Sequence, residues 1–220
     1  MKPDTFFVVS RFKEDCSWVD ELLTNFVIYN KSEVPCNIAE HRMIMQMPNI
    51  GNNQGDIFRY CYENYDKLPP LVGFVQGNPF DACKREVFEK LIHNKWFTCL
   101  EWFENNIENE AYKKSPVDKL YMERNAPWYI ASHNATYGLN CKYSSFDEFM
   151  NKYFKNYKHL DFLRFSPGSQ YIVERERIQG YSREFWKALN EELTLNNQTE
   201  GHIIERAMFH ILNHTYEARF

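Results

Sequence analysis

The stretch TFFVVSRFKEDCSWVDELLTNFVIYNKS, residues 5–32, together with QGDIFRYCYENYDKLPPLVGFVQGNPFD, residues 54–81, decides the fold. Thr5 to Ser10 is an apolar run of strand length. Ser17 to Leu23 then carries Trp18, Leu22 and Leu23 on one helical side, and Phe26 to Tyr29 reads as a second strand. From Gln54 to Tyr65 the apolar positions Ile57, Tyr60, Cys61 and Tyr65 recur at helical spacing. Pro69 and Pro70 stop that helix, because a residue before proline is pushed out of the helical region, and a third strand follows at Leu71 to Gln76. Strand, helix, strand, helix, strand is the alternation of a parallel-sheet α/β unit.

Outward from there, Glu33 to Pro48 shows no clear periodicity and reads as loop. Glu86 to Asn106 reads as one or two helices with Val87, Leu91, Trp96, Leu100 and Phe103 on the buried face. Asp147 to Tyr157 reads as a helix capped by Ser144 or Ser145, with Phe149, Met150 and Phe154 stacked inward. A strand at Gln170 to Val173, a helix at Ser182 to Leu193 and a last helix from Thr199 to Asn213 complete the pattern. No internal repeat and no Gly/Ser linker marks a boundary, so one domain is expected over the whole chain.

The 220 residues hold 26 Lys and Arg against 30 Asp and Glu, a net charge of −4, with 44% hydrophobic and 17% aromatic residues. A chain of that length buries about 70% of its unfolded surface in one core, and this much core-forming material excludes disorder. An acidic balance argues against nucleic acid as a partner, since that needs a basic face to displace counterions from phosphates. No stretch approaches the roughly 20 apolar residues of a membrane span. The run Phe6 to Val9 is too short for a signal-peptide core, so the expected setting is soluble and cytoplasmic. Six scattered cysteines without a C-x-x-C pair read as packed, reduced thiols. Neither H-E-x-x-H, G-x-S-x-G, a Walker pattern nor G-x-G-x-x-G occurs, which speaks against a triad hydrolase, a P-loop and a dinucleotide fold. Trp128, Tyr129 and Tyr137 are candidates for stacking on a sugar, although in so aromatic a chain such residues are more often core.

In an open α/β sheet ligands collect at the carboxyl ends of the strands. Those ends are polar here: Ser10-Arg11-Phe12-Lys13-Glu14-Asp15 after the first strand, Asn30-Lys31-Ser32 after the second, and Gln76-Gly77-Asn78-Pro79-Phe80-Asp81 after the third. Arg11 and Lys31 place two cations at adjacent strand ends, which suits a diphosphate. Asn78 and Asp81 offer hard oxygens to Mg²⁺ or Mn²⁺. The ordinary alternative is that loops are polar in any case. Asn49-Ile50-Gly51-Asn52-Asn53-Gln54-Gly55-Asp56 opens the second helix, where glycines admit a ligand to the backbone and exposed N–H groups attract oxygens. At the start of the last helix Thr199 reads as the N-cap and Glu200 as a first-turn carboxylate, while His202 and Glu205 share a face. A carboxylate and an imidazole beside a metal-diphosphate pocket can serve as general base and metal ligand; a capped amphipathic helix with surface charges explains the same residues without chemistry.

Six short blocks in order carry a resemblance: Phe-Phe-Val-Val-Ser-Arg-Phe-x-Glu-Asp-x-Ser-Trp (6–18), Ile-Tyr-Asn-Lys (28–31), Asn-x-Gly (49–51), Glu-Asn-Tyr-Asp-x-Leu-Pro (63–69), Phe-Val-Gln-Gly-x-Pro-Phe-Asp (74–81) and Glu-Arg (205–206). The chain resembles a glycosyltransferase-like domain of largely uncharacterised proteins and the small UDP-sugar transferases that large algal viruses use to build capsid glycans. This resemblance implies a GT-A-type α/β fold, a mixed central sheet flanked by helices, with 1–81 as nucleotide-binding half and 82–220 as acceptor-side half. It implies a UDP-sugar donor at the strand ends, a Mn²⁺ or Mg²⁺ ion bridging the diphosphate, and a glycan or glycoprotein acceptor. Carried over by position, Ser10, Arg11 and the Tyr29-Asn30-Lys31 segment hold nucleotide, and Glu14, Asn49, Gly51, Gln76 and Gly77 complete the donor-binding set. Asn78 and Asp81 occupy the place of an Asp-x-Asp-like metal motif, and His202 is the third candidate for the metal. The family often shows Gly-Arg-Glu where this chain has Gly51-Asn52-Asn53, which leaves the role of that loop open.

The expected reaction is metal-assisted transfer of the sugar to a hydroxyl of a growing glycan. The cation neutralises the leaving diphosphate with Arg11 or Lys31 assisting, and Glu200, with Glu205 in reserve, removes the acceptor proton. The alternative from another class is a non-catalytic nucleotide-sugar or glycan-binding protein on the same fold.

Overall fold

The computed structural model of the protein describes residues 2–39, 43–102, 111–116, 121–126, 141–193 and 198–219. In chain order its elements are β1 (Phe6–Arg11), α1 (Ser17–Leu22), β2 (Asn25–Asn30), β3 (Met43–Gln46), α2 (Asn52–Glu63), β4 (Leu71–Gln76), α3 (Arg85–Leu91), β5 (Thr98–Cys99), β6 (Tyr112–Lys114), β7 (Tyr121–Arg124), α4 (Phe146–Tyr153), β8 (Phe154–Lys155), β9 (Phe162–Arg164), β10 (Tyr171–Glu174), α5 (Arg175–Gln179), α6 (Arg183–Glu192), α7 (Gln198–Leu212) and β11 (Glu217–Ala218).

The main sheet has the order β3-β2-β1-β4-β10-β5. β3, β2, β1 and β4 run parallel, while β10 is antiparallel to both β4 and β5, so the fold is mixed α/β with a mixed central sheet flanked by helices. The chain moves outward from β1 to β2 and β3, then returns to lay β4 on the other side of β1. That reversal opens a crevice at the carboxyl ends of β1 and β4, where open sheets of this kind bind ligands.

The pleat sends alternate side chains to two separate cores. Val8, Val27, Tyr29, Val72, Phe74, Tyr171 and Val173 meet residues of α2, α4, α6 and α7 on one face. Phe7, Val9, Phe26, Ile28, Val75 and Ile172 meet Trp18, Val19 and Phe88 on the other. Burial on both faces is why β1, β2 and β4 read as continuous apolar runs rather than alternating ones.

Several elements depart from the sequence reading. β3 lies within the expected loop 33–48; it is an edge strand whose four side chains are all exposed, so no apolar period marks it. The helical reading of Glu86 to Asn106 holds only through Leu91. Trp96 is 60% exposed, and Thr98–Cys99 pairs with β10 as β5, which is why Leu100 is buried without being helical; 103–106 lie outside the described residues. α4 ends at Tyr153, since Phe154 turns into β8 and pairs with β11. Ser145 is the cap of α4, accepting the Glu148 N–H at 3.1 Å, and the Glu148 carboxylate takes the Ser144 N–H in return. The antiparallel sheet β6-β7-β9 has no counterpart in the sequence reading. Thr199 lies inside α7 rather than before it, and Trp128, Tyr129 and Tyr137 lie outside the described residues.

A buried carboxylate locks the far end of α6. Glu192 is 6% exposed and accepts hydrogen bonds from the Tyr143 hydroxyl at 2.7 Å, from the Tyr153 hydroxyl and from Lys152 Nζ, and it pairs with Lys142. Burial alone would raise its pKa; the donors from Lys142, Lys152, Tyr153 and Tyr143 outweigh that and bring it down to about 2. A carboxyl depressed in the folded state stabilises fully above its unfolded value, near 4.5, and loses that contribution as pH falls toward 2. With the two lysines half exposed, the contribution is on the order of 2 kcal/mol. The melting temperature is expected to drop steeply between pH 5 and 2, and Glu192→Gln to flatten that drop; thermal unfolding across this pH range measures both.

Candidate functional site

A cavity of about 490 Å³ opens at the carboxyl ends of β1 and β4, lined by Ser10, Phe12, Glu14, Lys31, Asn49, Asn52, Asn53, Gln54, Gln76, Asn78, Asp81, Gly201, His202 and Glu205. Its floor is built by a buried ion pair. Lys31 continues β2, its N–H bonded to Arg11 O at 2.8 Å, and its ammonium reaches Asp56 Oδ2 at 2.7 Å and Asn52 O at 2.8 Å. Both side chains are under 5% exposed. Burial holds the Asp56 carboxyl above its ordinary value, and Lys31, together with a hydrogen bond from Ser10, offsets only part of that rise. Asp56 closes the loop 49–56 quoted from the sequence; a carboxylate buried on the inner side of a helix needs a cation, and Lys31 supplies it from a strand end distant in sequence.

Gly51 places the loop beneath α2. It adopts φ 66°, and a Cβ there would lie 2.4 Å from Leu193 Cδ1, so its lack of a side chain is required by the backbone and by the packing of α6. Asn49 does line the cavity, whereas Gly51 supports it from behind.

The first strand end divides. Ser10 faces the cavity, but Arg11 does not: its guanidinium, 2% exposed, donates to Asn30 Oδ1 at 2.6 Å, Val34 O at 2.8 Å, Pro35 O at 3.0 Å and Glu14 O at 2.8 Å. Arg11 and Asn30 are thus a clamp on the loops behind the sheet, not donors to a diphosphate. The signal was available, because the pleat puts Arg11 on the Phe7–Val9 face and Lys31 on the Val27–Tyr29 face. Tyr29, 2% exposed, is core. Glu14 lies at the rim, where its Oε2 accepts the Phe12 and Lys13 N–H groups at 2.7 and 2.9 Å. Gly77 sits under it, accepting from Trp18 Nε1 at 2.7 Å, and Gln76 lines the wall.

Asn78 and Asp81 share the rim, but not as two ligands side by side. Asn78 Nδ2 donates to Asp81 Oδ1 at 2.7 Å while its own Oδ1 accepts from Phe80 N at 3.3 Å. Asn78 therefore positions Asp81, and the exposed Asp81 carboxylate is the oxygen donor. His202 and Glu205 form the opposite wall. Glu205 Oε1 takes the Gly168 N–H at 2.7 Å, and Oε2 lies 3.8 Å from His202 Nδ1. Asn53 and Gln54 reach the same loop, Gln54 Nε2 donating to Ser169 Oγ at 2.8 Å. Behind this wall Arg206 pairs with buried Glu123 of β7 at 2.7 Å, and Arg164 of β9 pairs with Glu101 at 3.2 Å. The small sheet thus fixes the rotation of α7.

Glu200 is elsewhere. It is 1% exposed and its Oε1 accepts the Lys142 N–H at 2.8 Å, so it does not face the cavity. Helical spacing explains the separation: Glu200 shares the stripe of Ile203, Ile204 and Ala207, while Gly201, His202 and Glu205 lie on another.

Residues 7–219 match the model of a protein family described as a protein of unknown function, DUF3431. The chain belongs to the DUF3431 family. The match runs from β1 through β11, so both walls of the cavity fall within the DUF3431 region. No curated protein and no solved structure matches the chain. Among the described residues of this DUF3431 protein, no three His, Cys, Asp or Glu side chains converge as a metal-ligand group, and no helix is long and apolar enough to cross a membrane.

Proposed function

We propose that this protein is a metal-dependent glycosyltransferase that moves a sugar from a UDP-sugar to a hydroxyl of a glycan, with the donor in the cavity at the ends of β1 and β4. The observation that carries the reading is the convergence there of Ser10 and Lys31 from the strand ends, Asp81 from the loop after β4, and His202 with Glu205 from α7. The resemblance of residues 6–81 to UDP-sugar transferases supports the same assignment, as does the mixed sheet that a GT-A-type fold requires.

The charges in the cavity favour a cation-bound donor. Lys31 is the one lysine or arginine among the described residues that line it, and Asp56 already offsets that charge. Glu14, Asp81 and Glu205 add three carboxylates. A bare diphosphate meets net repulsion here, whereas one carrying Mn²⁺ or Mg²⁺ meets a carboxylate at Asp81. Such ions are commonly held by one or two carboxylates plus substrate phosphates, which fits a site with a single well-presented Asp. When bound, the ion supplies Lewis-acid stabilisation of the leaving diphosphate.

The chain's own residues do the rest. Lys31, fixed by Asp56, holds the floor; Asn78 aims Asp81; Glu205, fixed through one oxygen by Gly168, keeps its second oxygen toward His202 and the cavity and acts as general base for the acceptor hydroxyl. Glu200, buried against Lys142, has no part in this. Thermal unfolding with UDP, GDP and CMP, each with and without Mn²⁺, tests the donor site. UDP with Mn²⁺ at about 100 times its dissociation constant is expected to add roughly 2.7 kcal/mol. No stabilisation by any nucleotide would refute the site.

A further inference from the structure

Gly201 is the fourth residue of α7 and lines the cavity. Glycine in a helix is destabilising relative to alanine, so a helical glycine calls for a reason. Its backbone supplies none, since its φ is not positive. Packing supplies none either. A Cβ on Gly201 would meet, among the described residues, only Gln54 Oε1 at 3.8 Å and Asn52 Nδ2 at 4.0 Å, both ordinary contact distances. Gly51 and Gly55 contrast sharply, with a Cβ falling 2.4 Å from Leu193 and 2.0 Å from Ile50 O. The described residues therefore leave room at Gly201, beside two side chains that line the cavity.

The two flanking groups are chemically paired. Gln54 is oriented by the bond from its Nε2 to Ser169 Oγ, which leaves Oε1 as an acceptor beside Gly201. Asn52 presents Nδ2, a donor, at the same spot. A donor and an acceptor side by side match a hydroxyl group, which gives one hydrogen bond and takes another. With no Cβ at Gly201, the helix backbone between them is open to an approaching ring. Glu205, on the next turn of the same helix, disfavours a carboxylate on that ring.

On the reading of the cavity as a UDP-sugar site, we propose that Gly201 is a specificity-determining contact for the transferred sugar: a neutral sugar packs on the α7 backbone at Gly201 with a hydroxyl held between Asn52 and Gln54. The uridine diphosphate lies away from it, toward Lys31 and Asp81.

Gly201→Ala separates this contact from stability. Without ligand, the variant is expected to melt about 1–4 °C higher than the wild type, because alanine favours the helix and its Cβ has space. With Mn²⁺ present, UDP is expected to bind both proteins within twofold, while UDP-glucose, UDP-galactose or UDP-xylose, whichever binds the wild type most tightly, weakens at least tenfold in the variant. UDP-glucuronate is expected to stabilise the wild type no more than UDP does. Equal binding of the neutral UDP-sugars to both proteins overturns the contact, as does an equal loss of UDP and UDP-sugar, or UDP-glucuronate as the strongest ligand. If neither UDP nor any UDP-sugar stabilises the wild type, the donor reading itself fails and this inference with it.

Discussion

Glu205→Gln is expected to lower the rate of sugar transfer by about 10²–10⁴-fold, the usual contribution of a positioned general base. The substitution is close to isosteric, and a glutamine Oε1 can still accept the Gly168 N–H that Glu205 accepts at 2.7 Å. The fold and the binding of UDP with Mn²⁺ should therefore be retained within a few fold, so the loss falls on turnover rather than on affinity. Glu200→Gln is the informative contrast. Its carboxylate is turned to the backbone of Lys142 and is 1% exposed, so transfer should stay near the wild-type rate. Steady-state kinetics of the two variants side by side distinguishes the assignments. A reversal of the two effects would return the base to Glu200.

Asp56→Ala carries the largest expected cost in stability. Lys31 is 3% exposed at its side chain, and removing its partner leaves a buried ammonium with, among the described residues, only a backbone carbonyl, Asn52 O, as acceptor. Breaking one side of a buried pair costs roughly 3–5 kcal/mol, which for a chain of this size lowers the melting temperature by roughly 10 °C. The double variant Lys31→Met, Asp56→Leu should recover most of the loss, since an apolar pair of similar volume carries no desolvation penalty. It should also abolish donor binding, because the floor of the cavity loses its only ammonium among the described lining residues. Denaturant unfolding of the single and double variants measures the first effect, and thermal shift with UDP and Mn²⁺ the second.

The parts of the fold that were legible in the sequence are those whose burial leaves a periodic trace. β1, β2 and β4 are buried on both faces and read as uninterrupted runs; α2, α6 and α7 each bury one stripe and read at helical spacing. β3 and the two-residue strands β5, β8 and β11 bury too few side chains in a row to leave a pattern, and their existence depends on partners distant in sequence. The site divides in the same way. The strand-end rule finds Ser10, Lys31, Gln76 and Asp81, and the three-residue spacing finds His202 with Glu205. It does not separate Arg11 from Lys31, which requires the pleat, or Glu200 from Glu205, which requires the rotation of α7. Gly201 carries no signal in the sequence, because a helical glycine acquires meaning only from its surroundings.

Sugar transfer from a UDP-sugar tests the central claim most directly. The release of UDP from UDP-glucose, UDP-galactose and UDP-xylose is followed with Mn²⁺, with EDTA, and with soluble glycan acceptors. The account predicts UDP release by the wild type that requires the metal, rises with an acceptor hydroxyl, and disappears in Glu205→Gln while UDP still binds. Metal-dependent binding of UDP without release from any donor would contradict it, and would make the protein a nucleotide-sugar-binding module instead of a transferase.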